Sequence, residues 1–169
     1  IRDAMESRGR GDVYKRQQLC DLVEQTLEAN PVPNNVELLK EPPDDAPLVA
    51  GDPEQLQIVL GNLIRNACEA MPDGGRLSLR GQTASSNGDS EDRFALTVSD
   101  TGCGMNSDTL QKIMEPLFST KTRGLGLGLA LAQAITQRHN GELTVESEPD
   151  EGTTFTLVLS LADESKSPV

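Results

Sequence analysis

Residues 121–132 read KTRGLGLGLALA. Gly124, Gly126 and Gly128 alternate with Leu125, Leu127 and Leu129, and the run then becomes helical. A glycine inside a helix costs roughly 1 kcal/mol against alanine, and a period of two belongs to a strand. Such a segment has two sides. The leucines anchor it to a core, while the glycines bare the backbone where a helix starts. Free N–H groups at a helix N-terminus suit a phosphate. Lys121 and Arg123 add positive charge there, and Thr120 and Thr122 add hydroxyls. The run is not a Walker A loop, which requires G-x-x-x-x-G-K-[ST]. Helix packing through small residues is the other reading of the same glycines.

The rest of the chain frames this run. Leu19, Leu22, Val23 and Leu27 have helical spacing, stopped by NPVPNN. Short strands are expected at Val36 to Leu39 and Leu48 to Ala50. Asp52 followed by Pro53 is a helix start, and that helix is expected to run to about Met71, ended by PDGG. Arg76 to Gly81 and Phe94 to Ser99 alternate as strands around the polar link QTASSNGDSED. A short helix is expected from Ser107 to Met114, and a longer one from the glycine run to His139. Glu142 to Ser147 and Thr153 to Leu161 form a closing hairpin. The order predicts an α+β two-layer sandwich: a mixed sheet of about five strands with three main helices on one face. It does not suit a Rossmann fold, which alternates strand and helix. Residues 1 to 16 read as a disordered or non-native leader, 17 to 161 as the domain, and 162 to 169 as a flexible tail.

Aromatic residues make up 2% of the 169, so the core must come from Leu, Val, Ile and Ala. The net charge of −12 disfavours a nucleic-acid surface, which needs clustered Lys and Arg. No stretch is apolar for long enough to cross a bilayer, so no direct membrane contact is expected of this domain. Three widely spaced cysteines fit neither a disulfide framework nor a zinc site, and point to a reducing cytosol.

Two further segments carry chemistry. In DPEQLQIVLGNLIRNACEAM, Leu56, Val59, Leu60, Leu63, Ile64 and Ala67 share one apolar arc. Asn62 and Asn66 lie side by side at its edge, where an amide oxygen is a hard neutral ligand suited to Mg²⁺. Two asparagines on a helix flank are also ordinary surface residues. In FALTVSDTGCGM, Asp100 ends a buried strand, and Gly102 and Gly104 follow, with Met105 behind them. Glycines let a backbone approach a flat ligand, and a carboxylate beside them can accept from an exocyclic amine such as that of adenine. A plain turn after a strand uses the same residues.

Taken together, Asn-x-x-x-Asn on a helix, Asp-x-Gly-x-Gly after a strand, Phe-Ser-Thr-Lys, and Gly-x-Gly-x-Gly into a helix resemble the GHKL ATP-binding superfamily. Within it the chain resembles the catalytic and ATP-binding domain of a bacterial sensor histidine kinase. NLIRNACEAM resembles the N box, DTGCGM the first glycine box, EPLFSTK the F box with Phe118 its namesake, and GLGLGLAL the second glycine box. The short stretch between Gly104 and Gly124 resembles the short-lid kinases of the nitrogen- and oxygen-sensing type.

The resemblance implies cofactors ATP and Mg²⁺. It makes Asn66 the metal ligand, with Asn62 supporting it or touching a phosphate. Asp100 takes the adenine amine, and Gly102, Gly104 and Met105 border the adenine pocket. Phe118, Thr120, Lys121, Gly124, Leu125, Gly126, Leu127, Gly128 and Thr154 complete the nucleotide site, with Asn62, Asn66 and Lys121 as its catalytic groups. Arg65 and Glu69 either reach phosphate or metal or are exposed helix charges. Position 62 holds an amide where the gyrase, MutL and chaperone branches carry a water-activating glutamate. The resemblance thus implies phosphoryl transfer to an imidazole rather than hydrolysis. The only histidine, His139 in QRHNG, resembles a structural position and not the acceptor motif. The acceptor histidine is therefore expected on a separate dimerisation domain, with a response regulator downstream. A cytosolic setting follows, free or as part of a membrane-bound sensor. A GHKL-type ATPase, a serine-directed kinase and a degenerate docking module are the competing readings.

Overall fold

The helix with two asparagines starts as the sequence predicts. In the computed structural model, which describes residues 16–43, 48–84, 93–118 and 127–162, Asp52 Oδ1 accepts from the backbone N–H groups of Glu54 (2.9 Å) and Gln55 (3.3 Å). Pro53 takes the first helical position. Such a cap is worth about 1 kcal/mol. The helix spans Pro53–Glu69 and buries Leu56, Val59, Leu60, Leu63, Ile64 and Ala67. These are the six residues of the apolar arc, and each large side chain contributes roughly 1.5–3 kcal/mol of burial.

In chain order the elements are β1 (Arg16–Gln18), α1 (Leu19–Ala29), β2 (Val36–Glu41), β3 (Leu48–Ala50), α2 (Pro53–Glu69), β4 (Gly75–Ala84), β5 (Arg93–Asp100), α3 (Ser107–Lys112), α4 (Gly128–Arg138), β6 (Glu142–Glu148) and β7 (Gly152–Ser160). Five strands form the main sheet in the order β2-β4-β5-β7-β6. β2 and β4 are parallel, joined by a crossover that contains α2, and the remaining pairs are antiparallel. The sheet is mixed, as expected, and of the four helices among the described residues three are of substantial length. Leu77, Leu79, Phe94, Leu96, Val98, Phe155, Leu157 and Leu159 alternate along three neighbouring strands and are all buried. They meet Leu22 of α1, the α2 arc, and Ala132 and Ile135 of α4 in one core.

Two details differ from the sequence reading. Arg16–Gln18 is extended and pairs antiparallel with Leu48–Ala50 as a separate two-stranded sheet. The expected strand at Leu48 to Ala50 therefore stands outside the main sheet, held also by the bridge from Val49 to Leu161 and by Ala162 N–H donating to the Leu48 carbonyl at 2.8 Å. The short helix α3 ends at Lys112, not Met114, and passes into a turn in which Glu115 N–H donates to the Lys112 carbonyl. No helix among the described residues is long and apolar enough to cross a membrane.

Register places the chemistry at one end of the sheet. Asp100 lies opposite Thr153, and Thr153 opposite Ser147, so three polar side chains occupy the helix-side face where β5, β7 and β6 finish their pairing.

Candidate functional site

Asp100 continues the buried parity of Phe94, Leu96 and Val98, and is 7% exposed. Its Oδ1 accepts from Gly102 N–H at 2.8 Å and from Thr153 N–H at 3.3 Å. Burial pushes the carboxyl up from its ordinary range, against the two backbone donors, which pull it down. Both of these bonds use one oxygen, so the pair fixes the carboxylate plane.

The glycines after Asp100 are required by close approach. A Cβ on Gly102 would fall 2.5 Å from the Ala70 carbonyl oxygen and 2.8 Å from Asp100 Oδ1. Gly104 has φ +63° and a Cβ there would run into the Glu148 carbonyl. The loop is tied on both sides. Cys103 N–H donates to the Ala70 carbonyl at 3.1 Å, and the Cys103 carbonyl accepts from Asp150 N–H at 2.7 Å. Half-buried Met105 donates its N–H to Ser147 Oγ at 2.8 Å. The carboxylate end is thus clamped between the C-terminus of α2 and the β6–β7 turn.

The other end is built on the same helix. A Cβ on Gly128, the first residue of α4, would fall 2.8 Å from Asn62 Oδ1. Asn62, Asn66 and Ala70 are spaced by four and form one stripe down α2 and its C-cap, with both asparagines half-buried. At 1.5 Å rise per residue the stripe is about 12 Å long. It runs from the start of α4 at Asn62 to the Asp100 turn at Ala70. Leu127, which precedes α4, makes no side-chain cap, so nothing from the N-cap side chain occupies the N–H groups of that helix end.

Of the expected site residues, the structure brings together Asn62, Asn66, Asp100, Gly102, Gly104, Met105 and Gly128 along this stripe. Thr120, Lys121, Gly124, Leu125 and Gly126, with Thr122 and Arg123, lie outside the described residues. Phe118 is half-buried and Leu127 is 45% exposed, one before and one after that segment. Thr154 is not beside Asp100. Its Oγ1 pairs with Ser99 Oγ at 2.9 Å on the opposite face of the sheet. The threonine beside Asp100 is Thr153, which also bonds Ser147 through its Oγ1 at 2.8 Å. Sequence parity held that signal: Phe155, Leu157 and Leu159 are the apolar members of the strand, so Thr153 shares their face. The thiol of half-buried Cys68, on the same helix, is pushed up, chiefly by burial and then by the charges of Asp100 and Glu69. Of the two open charges, Arg65 reaches the other way, donating to Asn30 Oδ1 at 3.4 Å. Glu69 is exposed. A cavity of about 410 Å³ between α1 and the sheet, lined by Leu19, Val23, Pro42, Pro43, Leu79 and Leu96, shares no residue with this site.

One end of the stripe thus holds a buried acceptor beside bare backbone and the other a helix N-terminus, with two amide side chains between them. The family model described as histidine kinase-, DNA gyrase B-, and HSP90-like ATPase matches residues 51–163, which span α2 to β7 and hold every site residue above. The chain belongs to this ATPase family. Its relatives within the family are histidine kinases. It is 33% identical over 150 residues to sporulation kinase E of Bacillus subtilis, covering 87% of this chain and 20% of that protein. To the sensor protein FixL of Bradyrhizobium diazoefficiens it is 34% identical, covering 98% of this chain and 33% of that one. This ATPase-family domain therefore spans about a fifth to a third of the length of those two relatives. Its fold is that of histidine kinase catalytic domains. The mycobacterial sensor histidine kinase MprB superposes with a TM-score of 0.74 at 22% identity, covering 88% of this chain and 97% of that one. Full-length ShkA in complex with AMPPNP superposes at 0.70 and 24% identity, covering 87% and 32%.

Proposed function

We propose that this domain binds Mg-ATP and transfers the γ-phosphate to a histidine on a separate dimerisation and phosphoacceptor domain, as the catalytic half of a two-component sensor kinase. The observation that carries the reading is the α2 stripe, which connects the Asp100 turn to the Gly128 helix start through two amides. Its length of about 12 Å suits an adenine at one end and a triphosphate at the other.

In this reading Asp100 accepts from the adenine amine, with Oδ1 held by Gly102 and Thr153. Gly102 and Gly104 admit the flat base, and Thr153 borders it in place of Thr154. The N–H groups at the start of α4 and the side chain of Asn62 face the phosphates. Lys121, Thr120, Gly124, Leu125 and Gly126 enter on sequence alone, Lys121 as a charge partner of the γ-phosphate. The amide donors fit Mg²⁺: it takes few protein oxygens and keeps waters and phosphate oxygens as its other ligands. Asn66 would hold it. When bound, the ion neutralises and bridges phosphate oxygens.

Asn62 lacks the basicity to activate water, which favours an external nucleophile over hydrolysis. His139 is not that nucleophile, since both its ring nitrogens are engaged within the fold. The receiving imidazole comes from another domain, and a response regulator takes the phosphoryl group onward. Exposed Leu117, Leu127 and Leu131 (73%, 45% and 48%) flank the segment between the F box and α4 and offer an apolar contact for that domain. A cytosolic setting follows from the use of ATP. The test is to mix the chain with a histidine-bearing acceptor domain and γ-labelled ATP. Acid-labile label on the acceptor supports the reading, and steady phosphate release without labelled acceptor contradicts it.

A further inference from the structure

His139 joins two helices that the proposed site depends on. Its Nε2 accepts from the backbone N–H of Asp52 at 3.0 Å, and its Nδ1 lies 2.8 Å from the Ile135 carbonyl. An N–H aimed at Nε2 requires that nitrogen to be unprotonated, so the ring proton sits on Nδ1 and is donated to Ile135. Asp52 is the N-cap of α2, and His139 is the C-cap of α4. Asp52 spends its own carbonyl on Leu56 N–H and its carboxylate on the first turn, which leaves its N–H to the imidazole. Gly51 makes room for the ring: a Cβ there would fall 2.8 Å from His139 Cδ2.

The two helices are antiparallel neighbours. His139 fastens the end of α4 to the start of α2, and at the other end of α4 Gly128 meets Asn62. The lever between clip and site is α4 itself, 11 residues or about 16 Å long. We infer that His139 is a positioning residue for phosphate recognition: by clipping α4 to α2 it sets the place of the α4 N-terminus against Asn62. The inference rests on the nucleotide reading of the site and assigns no chemistry to the imidazole.

A merely structural histidine would weaken all ligands alike, whereas a positioning one acts on the phosphate end. The test compares adenosine with Mg-AMPPNP in calorimetric titrations of the whole chain. His139→Phe keeps a ring beside Gly51 and removes the acceptor. It is expected to weaken Mg-AMPPNP about fivefold, the worth of one hydrogen bond, and to leave adenosine affinity unchanged. His139→Gln can return an amide oxygen to the Nε2 position and is expected to recover most of the loss. Equal losses for both ligands, or no loss for either, would overturn the inference. Should the Phe variant not fold, the wild-type chain still decides. Its sole histidine gives a single long-range ¹H–¹⁵N pattern, expected to show the Nδ1–H tautomer, and the Nε2–H tautomer would remove the clip. Wild-type chain that binds neither ligand refutes the site reading itself, whereas a wild type that binds both with an unaffected Phe variant refutes only the role of His139.

Discussion

Gly128 stands against Asn62 so closely that a Cβ on the glycine would fall 2.8 Å from the Asn62 amide oxygen. That contact ties the first turn of α4 to the middle of α2. It separates what the fold needs from what the site needs. Gly128→Ala adds a better helix former, worth up to about 1 kcal/mol, and the atom it crowds is the tip of a side chain that can rotate away. The variant is expected to melt at or above the wild-type temperature while its Mg-AMPPNP affinity falls about tenfold, as calorimetry would read. A melting point lowered in step with affinity would mean that the contact is structural only.

Asp100→Asn keeps an oxygen for the Gly102 and Thr153 donors and presents an NH₂ group where the carboxylate has its second oxygen. Adenine affinity is expected to drop at least about tenfold, the cost of facing a donor with a donor. Stability should not drop, and the sign follows from linkage. Burial raises the Asp100 carboxyl above its unfolded value, so the ionised side chain costs stability above the folded pKa, and that cost fades as pH falls towards the unfolded one. The Asn variant escapes the cost, so its advantage in urea midpoint over wild type should be larger at neutral pH than in mild acid.

Gly104→Ala is predicted to fail for a different reason. It must hold φ +63° and its methyl would meet the Glu148 backbone, which cannot swing aside. A loss of about 2–4 kcal/mol is expected. A urea midpoint within error of wild type would mean that the loop relaxes, and that the glycine serves the ligand alone.

Leu127→Ser and Leu131→Ser test the apolar contact. Both side chains are about half exposed, so each change should move stability by less than about 0.5 kcal/mol. Phosphotransfer to an acceptor domain should fall severalfold in both, with Mg-AMPPNP affinity unchanged in Leu131→Ser. Equal transfer by the double variant would place the acceptor elsewhere.

The sequence made most of this readable because the signals were strong where packing is strong. The α2 arc follows the helical period, the Asp-Pro cap marks its start, and the strands that face it alternate. Three things were less legible. The strand Arg16–Gln18 was not expected: it forms by pairing with Leu48–Ala50, and such a pairing across a helix and a strand has no local sign. The sequence reading named Thr154 for the site, whereas Thr153 stands beside Asp100: a strand flips face at every step, and the parity of Phe155, Leu157 and Leu159 selects Thr153. The role of His139 rests on an N–H 87 positions away in the chain, a distance that no spacing rule spans.

The central claim is that Asp100 and Asn66 serve two ends of one nucleotide. Calorimetric titration of Mg-AMPPNP, AMPPNP without metal, and adenosine into wild type, Asp100→Asn and Asn66→Ala tests it most directly. The account predicts that Asp100→Asn weakens all three ligands, whereas Asn66→Ala weakens only the metal complex and abolishes the gain that Mg²⁺ confers. Wild-type affinity for Mg-AMPPNP that neither change lowers would contradict it.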